Sequence, residues 1–152
     1  MRVSTKSDYA LRALIEIARH GGDRPISAEA IGRLQDIPHT FLQAILGDLR
    51  KAGVVVAQRA HAGGWRLAGP AADTTVADVI RAVDGPLLSV YGLRPESVTY
   101  NEQADVLQQV WIAARASLRE VLERVTLDDL ATGRLTDDVA RLTADDDAWQ
   151  PR

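Results

Sequence analysis

The sequence predicts a mainly α-helical fold: a winged helix-turn-helix with a small two-stranded wing and a long C-terminal dimerisation helix. Three observations carry this. Between Ser27 and Ala52, two short apolar-periodic segments flank a tight break at Gln35-Asp36-Ile37. A β-branched run and a loop bounded by Arg59 and Gly63-Gly64 follow at once, as a hairpin would. Farther on, Leu107, Trp111, Ala114, Leu118, Val121 and Val125 recur at steps of four and three, an a/d-like seam.

Each element has its own local signals. Ser7 or Asp8 is placed to start a first helix, with Tyr9, Leu11, Leu14, Ile15 and Ala18 as its apolar face. Ser4, Thr5 and Lys6 precede it and offer backbone N–H groups and a cation to a phosphate; a solvated chain end is the equal alternative. His20-Gly-Gly-Asp-Arg-Pro25 closes that helix. Ser27 caps the next, Glu29 complements its dipole, and Ile31 and Leu34 face inward. Pro38 suits the first position of the following helix, where its missing N–H costs nothing. Phe41, Leu42, Ile45, Leu46 and Leu49 then mark one apolar side, and Gly53 ends it behind Arg50 and Lys51.

The opposite side of that third helix carries the functional expectation. His39, Thr40 and Gln43 lie outward near its start. A helix that enters a major groove N-terminus first would use them to read base edges. The strand Val54 to Gln58, the loop from Arg59 to Gly64 and the return Trp65 to Ala68 form the wing. Arg59 and His61 are expected at the DNA backbone, together with Ser4, Thr5, Lys6, Arg50 and Lys51. Gly63 and Gly64 are expected to adopt positive φ or to let the wing lie close to DNA.

Beyond the wing, Thr75 caps a short helix over Val76 to Val83, ended by Asp84-Gly85-Pro86. Residues 86–101 have no period and read as an ordered loop. Tyr91 and Tyr100 there, with Trp111, are the expected lining of an effector pocket, or else simple core-fillers. The long helix spans about residues 103–126; its seam packs on its own lobe or, as favoured here, on a second copy. Thr126-Leu-Asp-Asp-Leu130 reads as a capped short helix. Residues 136–152, with five Asp and one Pro, read as a mobile acidic tail. The expected division is residues 1–85 for DNA binding, 86–131 for loop and dimer helix, and 132–152 for the tail.

Composition bounds the chemistry. The chain of 152 residues has net charge −3, which alone argues against a polyanionic partner. Its distribution argues the other way: residues 1–66 carry 10 Lys and Arg against 6 Asp and Glu, and residues 67–152 carry 8 against 15. No apolar run approaches the roughly 20 residues that cross a bilayer, and no signal-peptide core is seen, so cytoplasm is the expected compartment and no membrane partner is expected. Zero cysteines exclude disulfides and thiolate-ligated zinc or iron–sulfur clusters. His20, His39 and His61 lack metal-ligand spacing, and no nucleophile–base pair or phosphate-binding glycine motif occurs. No metal, no cofactor and no enzymatic activity are therefore expected.

Together the marks resemble the IscR/NsrR-type bacterial transcriptional regulators, the Rrf-two family. They are Tyr9-Ala10-Leu11-Arg12-Ala13-Leu14, Ile37-Pro38 before Phe41-Leu42, Ala52-Gly53-Val54-Val55, and Gly63-Gly64-Trp65-Arg66-Leu67-Ala68. Asp84-Gly85-Pro86 and Val125-Thr126-Leu127 with Asp129-Leu130 complete the pattern over residues 1 to about 131. The resemblance implies a homodimeric DNA-binding repressor, sometimes an activator, on double-stranded DNA with a palindromic operator. Many relatives hold an iron–sulfur cluster with three cysteines between the short helix and the dimer helix; the corresponding stretch here, about Leu87 to Val110, has none. A protein-interaction winged helix that has lost DNA binding is the alternative function.

Overall fold

Helix α1 (Thr5–Arg19) is the hub, and it starts earlier than the sequence suggests because Ser4, not Ser7, caps it: the Ser4 hydroxyl accepts from the Ser7 N–H at 2.9 Å. The computed structural model describes residues 2–21, 24–59 and 63–151. Helix α2 (Ala28–Gln35), helix α3 (His39–Lys51), strand β2 (Gly64–Leu67), helix α4 (Val76–Asp84) and helix α6 (Leu127–Thr132) all pack on α1. The inner face of α1 is Ala10, Ala13, Leu14 and Ile17, with Tyr9, Leu11, Ile15 and Ala18 half-buried beside it. Of the expected face only Leu14 is central. A helix surrounded on all sides needs small residues where its neighbours come closest, so two alanines hold the middle.

The helix-turn-helix forms as the sequence indicates. Ser27 caps α2 by accepting from the Ala30 N–H at 3.2 Å. The chain reverses at Asp36, which takes the left-handed conformation (φ 52°) where a glycine is common; a short polar side chain tolerates that region better than most. The reversal is clamped from α1: the Arg12 guanidinium donates to both the side chain and the backbone carbonyl of Gln35. Pro38 precedes α3 as its cap rather than opening its first turn.

Leu42, Ile45, Leu46 and Leu49 of α3 are buried, each contributing about 1.5–3 kcal/mol by leaving water. Two residues expected inside are outside. Phe41 is 62 % and Leu34 60 % exposed. At 3.6 residues per turn Phe41 lies about a quarter turn from the centre of that leucine and isoleucine stripe. Leu34 is in the last turn of α2, and Ile37 from the following turn is buried in the core.

Strand β1 (Val55–Gln58) pairs antiparallel with β2, placing Val55 opposite Leu67 and Gln58 opposite Gly64. The wing is stitched to the body at its far edge: Ile26 and Trp65 exchange backbone hydrogen bonds of 3.0 and 2.8 Å.

Helices α4 and α6 begin as twins. Thr75 with Asp78, and Thr126 with Asp129, each form a reciprocal capping box, and a two-residue antiparallel bridge joins Thr75 to Thr126. The hydrogen bonds from the Thr126 backbone and hydroxyl hold the Asp129 carboxyl below its usual range. Leu127 is fully buried against α1.

Helix α5 (Val106–Leu122) is shorter than the expected 103–126, and none of its residues is fully buried. Val125 lies beyond its end, where its carbonyl accepts from Val76 N–H at 2.9 Å, so Val125 belongs to the α4–α6 junction and not to the helical seam. The acidic end is not featureless. Helix α7 (Asp137–Thr143) is capped by Thr136, and Asp138 pairs with Arg124 at 2.5 Å.

Candidate nucleic-acid interface

His39, Thr40 and Gln43 stand exposed on the first turns of α3, with Gln43 Nε2 and His39 Nε2 3.5 Å apart. Ala44 continues this outer face, and Arg50 and Lys51 are exposed at its far end. The leucine and isoleucine stripe that fixes α3 to the core is what turns these polar side chains outward. Polar side chains at the start of the helix and cations at the other end suit a helix entering a groove tip first.

Phe41, which the sequence pattern places inside, joins that surface. With Arg2, Thr5, Tyr9 and Ala44 it lines a groove of about 500 Å³ between the N-terminus and α3. An exposed aromatic edge there suits a thymine methyl or a deoxyribose. The wheel position of Phe41 relative to Leu42 and Leu49 is the signal that could have found it.

The expected backbone contacts divide. Arg59 is exposed at the wing entrance and Gly63 at its exit, while His61 lies outside the described residues. Thr5 is exposed on the first turn of α1. Ser4 and Lys6 are engaged within the chain. Ser4 and Ser7 both donate to Asp84 at the end of α4. Lys6 Nζ donates to the Val83 carbonyl at 2.8 Å and pairs with Asp48 of α3 at 2.7 Å. Hydrogen bonding from Lys6 and its charge hold the Asp48 carboxyl below its usual value. Lys6 thus ties α1, α3 and α4 together rather than offering a free cation.

Gly64 also has a role other than the expected one. Its close neighbour is the chain's own backbone: a Cβ there would meet the Ile26 carbonyl oxygen and lie 2.6 Å from its carbon. Gly64 is not among the glycines of positive φ.

The expected effector pocket does not assemble around three aromatics. Trp111 Nε1 donates to Tyr100 Oη at 3.0 Å, but Tyr91 is 93 % exposed in a left-handed turn (φ 54°). Trp111 instead borders a cavity of about 570 Å³ with Leu87, Leu88 and Ser89. Along the α5 seam, Trp111, Ala114, Leu118 and Val121 are half-buried by their own chain, and Leu107 is at the border of exposure. Val106, Val110 and Ala113 form a separate, exposed apolar stripe, which the small Ser117 continues one turn on.

Among the described residues no helix is long and apolar enough to cross a membrane. No group of three or more His, Cys, Asp or Glu among them is arranged to hold a metal ion.

The comparisons agree with this geometry. A family model described as Rrf2, iron-dependent transcriptional regulator, matches residues 3–133. A Mycobacterium tuberculosis protein (strain ATCC 25618 / H37Rv), provisionally named as an HTH-type transcriptional regulator, is 40 % identical over 145 residues, covering 95 % of this chain and 90 % of its own. The HTH-type transcriptional regulator CymR of Bacillus subtilis (strain 168) is 33 % identical over 132 residues, covering 87 % of this chain and 91 % of its own. The crystallised CymR of B. subtilis, titled the global cysteine regulator of that organism, superposes with a TM-score of 0.75 at 31 % identity over 89 % of this chain and 99 % of its own. The iron in the family description belongs to the family model; this chain has no cysteine that could hold an iron–sulfur cluster by thiolates. The relatives are regulators and not enzymes. The winged helix, the outward polar face of α3 and these likenesses agree, and the chain belongs to the Rrf2 family of DNA-binding transcriptional regulators.

Proposed function

We propose that the chain is a cytoplasmic homodimeric repressor that covers a palindromic operator and works without an iron–sulfur cluster. The observation that carries this is the exposed row His39, Thr40 and Gln43 on α3, flanked by Arg50, Lys51 and Arg59. Two copies would present two such helices, as successive half-sites of a duplex require. The exposed apolar stripe of α5 supports pairing through that helix: its Trp111–Leu118 side is half-covered by its own chain, whereas Val106, Val110 and Ala113 on the other side are exposed.

Binding through several phosphates weakens steeply with salt, so the slope of operator affinity against salt is the first test. A protein-interaction winged helix is the competing reading. The capture of Lys6 by Asp48 favours it, and a DNA signal that neither weakens with salt nor depends on sequence would count for it over DNA reading.

Within the proposal, base reading and backbone positioning separate by mutation. Thr40→Ala or Gln43→Ala is expected to alter the preferred sequence, each lost base contact being worth about 1–3 kcal/mol. Arg59→Ala is expected to weaken all sequences alike if it holds phosphate, or A·T-rich flanks most if it enters the minor groove. Selection of bound oligonucleotides followed by affinity measurement checks both; an unchanged preference in both helix variants refutes the assignment.

The purified protein is expected to be colourless, with no stoichiometric iron or sulfide. The absence of cysteine motivates this, and visible absorption with iron analysis decides it.

A further inference from the structure

The C-terminal half is acidic, yet half of its basic residues meet in one place. Of the eight Lys and Arg in residues 67–152, four line a single cavity of about 430 Å³: Arg81 of α4, Arg94 of the loop, and Arg115 and Arg119 of α5. Gly85, Pro86 and Leu87 form the rest of the wall, with Glu96 as its one carboxylate.

The carboxylates present hold the guanidinium groups in place without covering them all. Glu123 takes both Arg81 and Arg119, the latter at 3.0 Å, and these hydrogen bonds hold its carboxyl below the usual range. Arg81 also reaches Asp78 at 3.7 Å. Glu96 pairs with Arg115 at 2.5 Å. Arg94 has no carboxylate within ion-pair distance among the described residues, and its charge acts on Glu96 from farther off. Four like charges from three elements repel one another, and a bound anion relieves that repulsion while accepting planar, paired hydrogen bonds. Glu96 occupies the place of such an anion and is half-exposed, hence displaceable.

We propose that this cavity binds a small metabolite carrying at least two negative charges, as carboxylate or phosphate groups, and that its occupancy is relayed to the recognition helix. The relay is a short chain of contacts. The cavity is walled by Arg81 and Gly85, at the end of α4. In that last turn the Val83 carbonyl accepts from Lys6, and Lys6 pairs with Asp48 of α3. An anion that draws Arg81 toward α5 shifts the end of α4, and with it the Lys6 clamp on α3. The binding site stands on its own; the relay rests on the proposal that α3 reads DNA.

The test uses the full chain with two probes, inorganic pyrophosphate and citrate, against sodium chloride at equal ionic strength. Thermal shift and calorimetric titration are expected to show stabilisation by at least one probe beyond chloride. The responding probe distinguishes phosphate from carboxylate ligands. Arg94→Gln, an exposed position, is expected to weaken binding about tenfold, as the loss of one charged hydrogen-bonding partner does. Glu96→Gln is expected to tighten it, because the internal competitor is gone; a merely structural ion pair predicts no gain. No response to either probe, or loss in both variants, overturns the site. Operator affinity is then measured with saturating probe and with matched chloride. A change in the wild type that is lost in Arg94→Gln supports the relay, and an unchanged affinity overturns it. A protein that binds the probe but never binds DNA overturns the DNA-reading proposal while leaving the anion site in place.

Discussion

Gly64→Ala is expected to destabilise the protein by about 2–6 kcal/mol and to abolish DNA binding by releasing the wing. The three atoms nearest the added Cβ are all backbone, from one peptide group: the Ile26 carbonyl oxygen, its carbon at 2.6 Å and Ser27 N at 3.0 Å. No flexible side chain is there to move aside. Relief requires parting β2 from the chain entering α2, which breaks the two Ile26–Trp65 hydrogen bonds and strains the start of α2. Overpacking costs about 1–3 kcal/mol and each backbone bond about 0.5–1.5, which sets the range. Gly47→Ala is the matched control. It is helical with nothing within 4 Å of the added carbon, so it is expected to stabilise by about 0.5–1 kcal/mol. Urea midpoints measured on both variants check the pair. Equal midpoints for Gly64→Ala and wild type would show that the wing does not depend on this close approach.

Gly64 also illustrates how far the sequence can be read. That a glycine pair closes the wing is visible from its spacing; what the glycine must avoid is not, because Ile26 lies 38 residues away in sequence. Local signals are reliable where local physics decides. Ser27, Thr75 and Thr126 cap their helices as expected, since a hydroxyl three residues before a free N–H needs no tertiary help.

Signals that depend on neighbours mislead in a consistent direction. Periodicity assigns large residues inward and overlooks small ones, so it places Phe41 and Leu34 in the core and passes over Ala10 and Ala13. Lys6 reads as a free cation because its partners, Asp48 and the Val83 carbonyl, come from distant elements. The arginines around the Arg94 cavity escape notice for the same reason. They are scattered from 81 to 119 and share no spacing, and only the packing of α4 against α5 gathers them. The three outward residues His39, Thr40 and Gln43 are legible because a single helix period decides both faces of α3.

Val110→Asp is expected to convert the proposed dimer to a well-folded monomer and to lower operator affinity about a hundredfold or more. The choice of residue follows from which apolar side of α5 is already covered. Leu118 is half-buried and lines a cavity of about 200 Å³ together with Val3 and Ile80 of its own chain, so Leu118→Asp would place a carboxylate where it harms the monomer and any dimer alike. Val110 is 54 % exposed, in line with Val106, Ala113 and Ser117, and an aspartate there is solvated in a lone chain. Against a second copy the same carboxylate would be buried without a partner, at a cost of several kcal/mol, which exceeds what a short apolar stripe returns. The effect on DNA follows from linkage of the two recognition helices. A dimer binds its second half-site as an intramolecular event, and losing that advantage costs on the order of 10²–10⁴ in apparent affinity. Light scattering at micromolar concentration, a thermal melt and an operator titration together decide it. An unaltered melt with halved mass and weakened binding is the expected result. A variant that remains dimeric would move the interface to another face of α5, and a wild type that is monomeric at that concentration would remove the dimer from the mechanism.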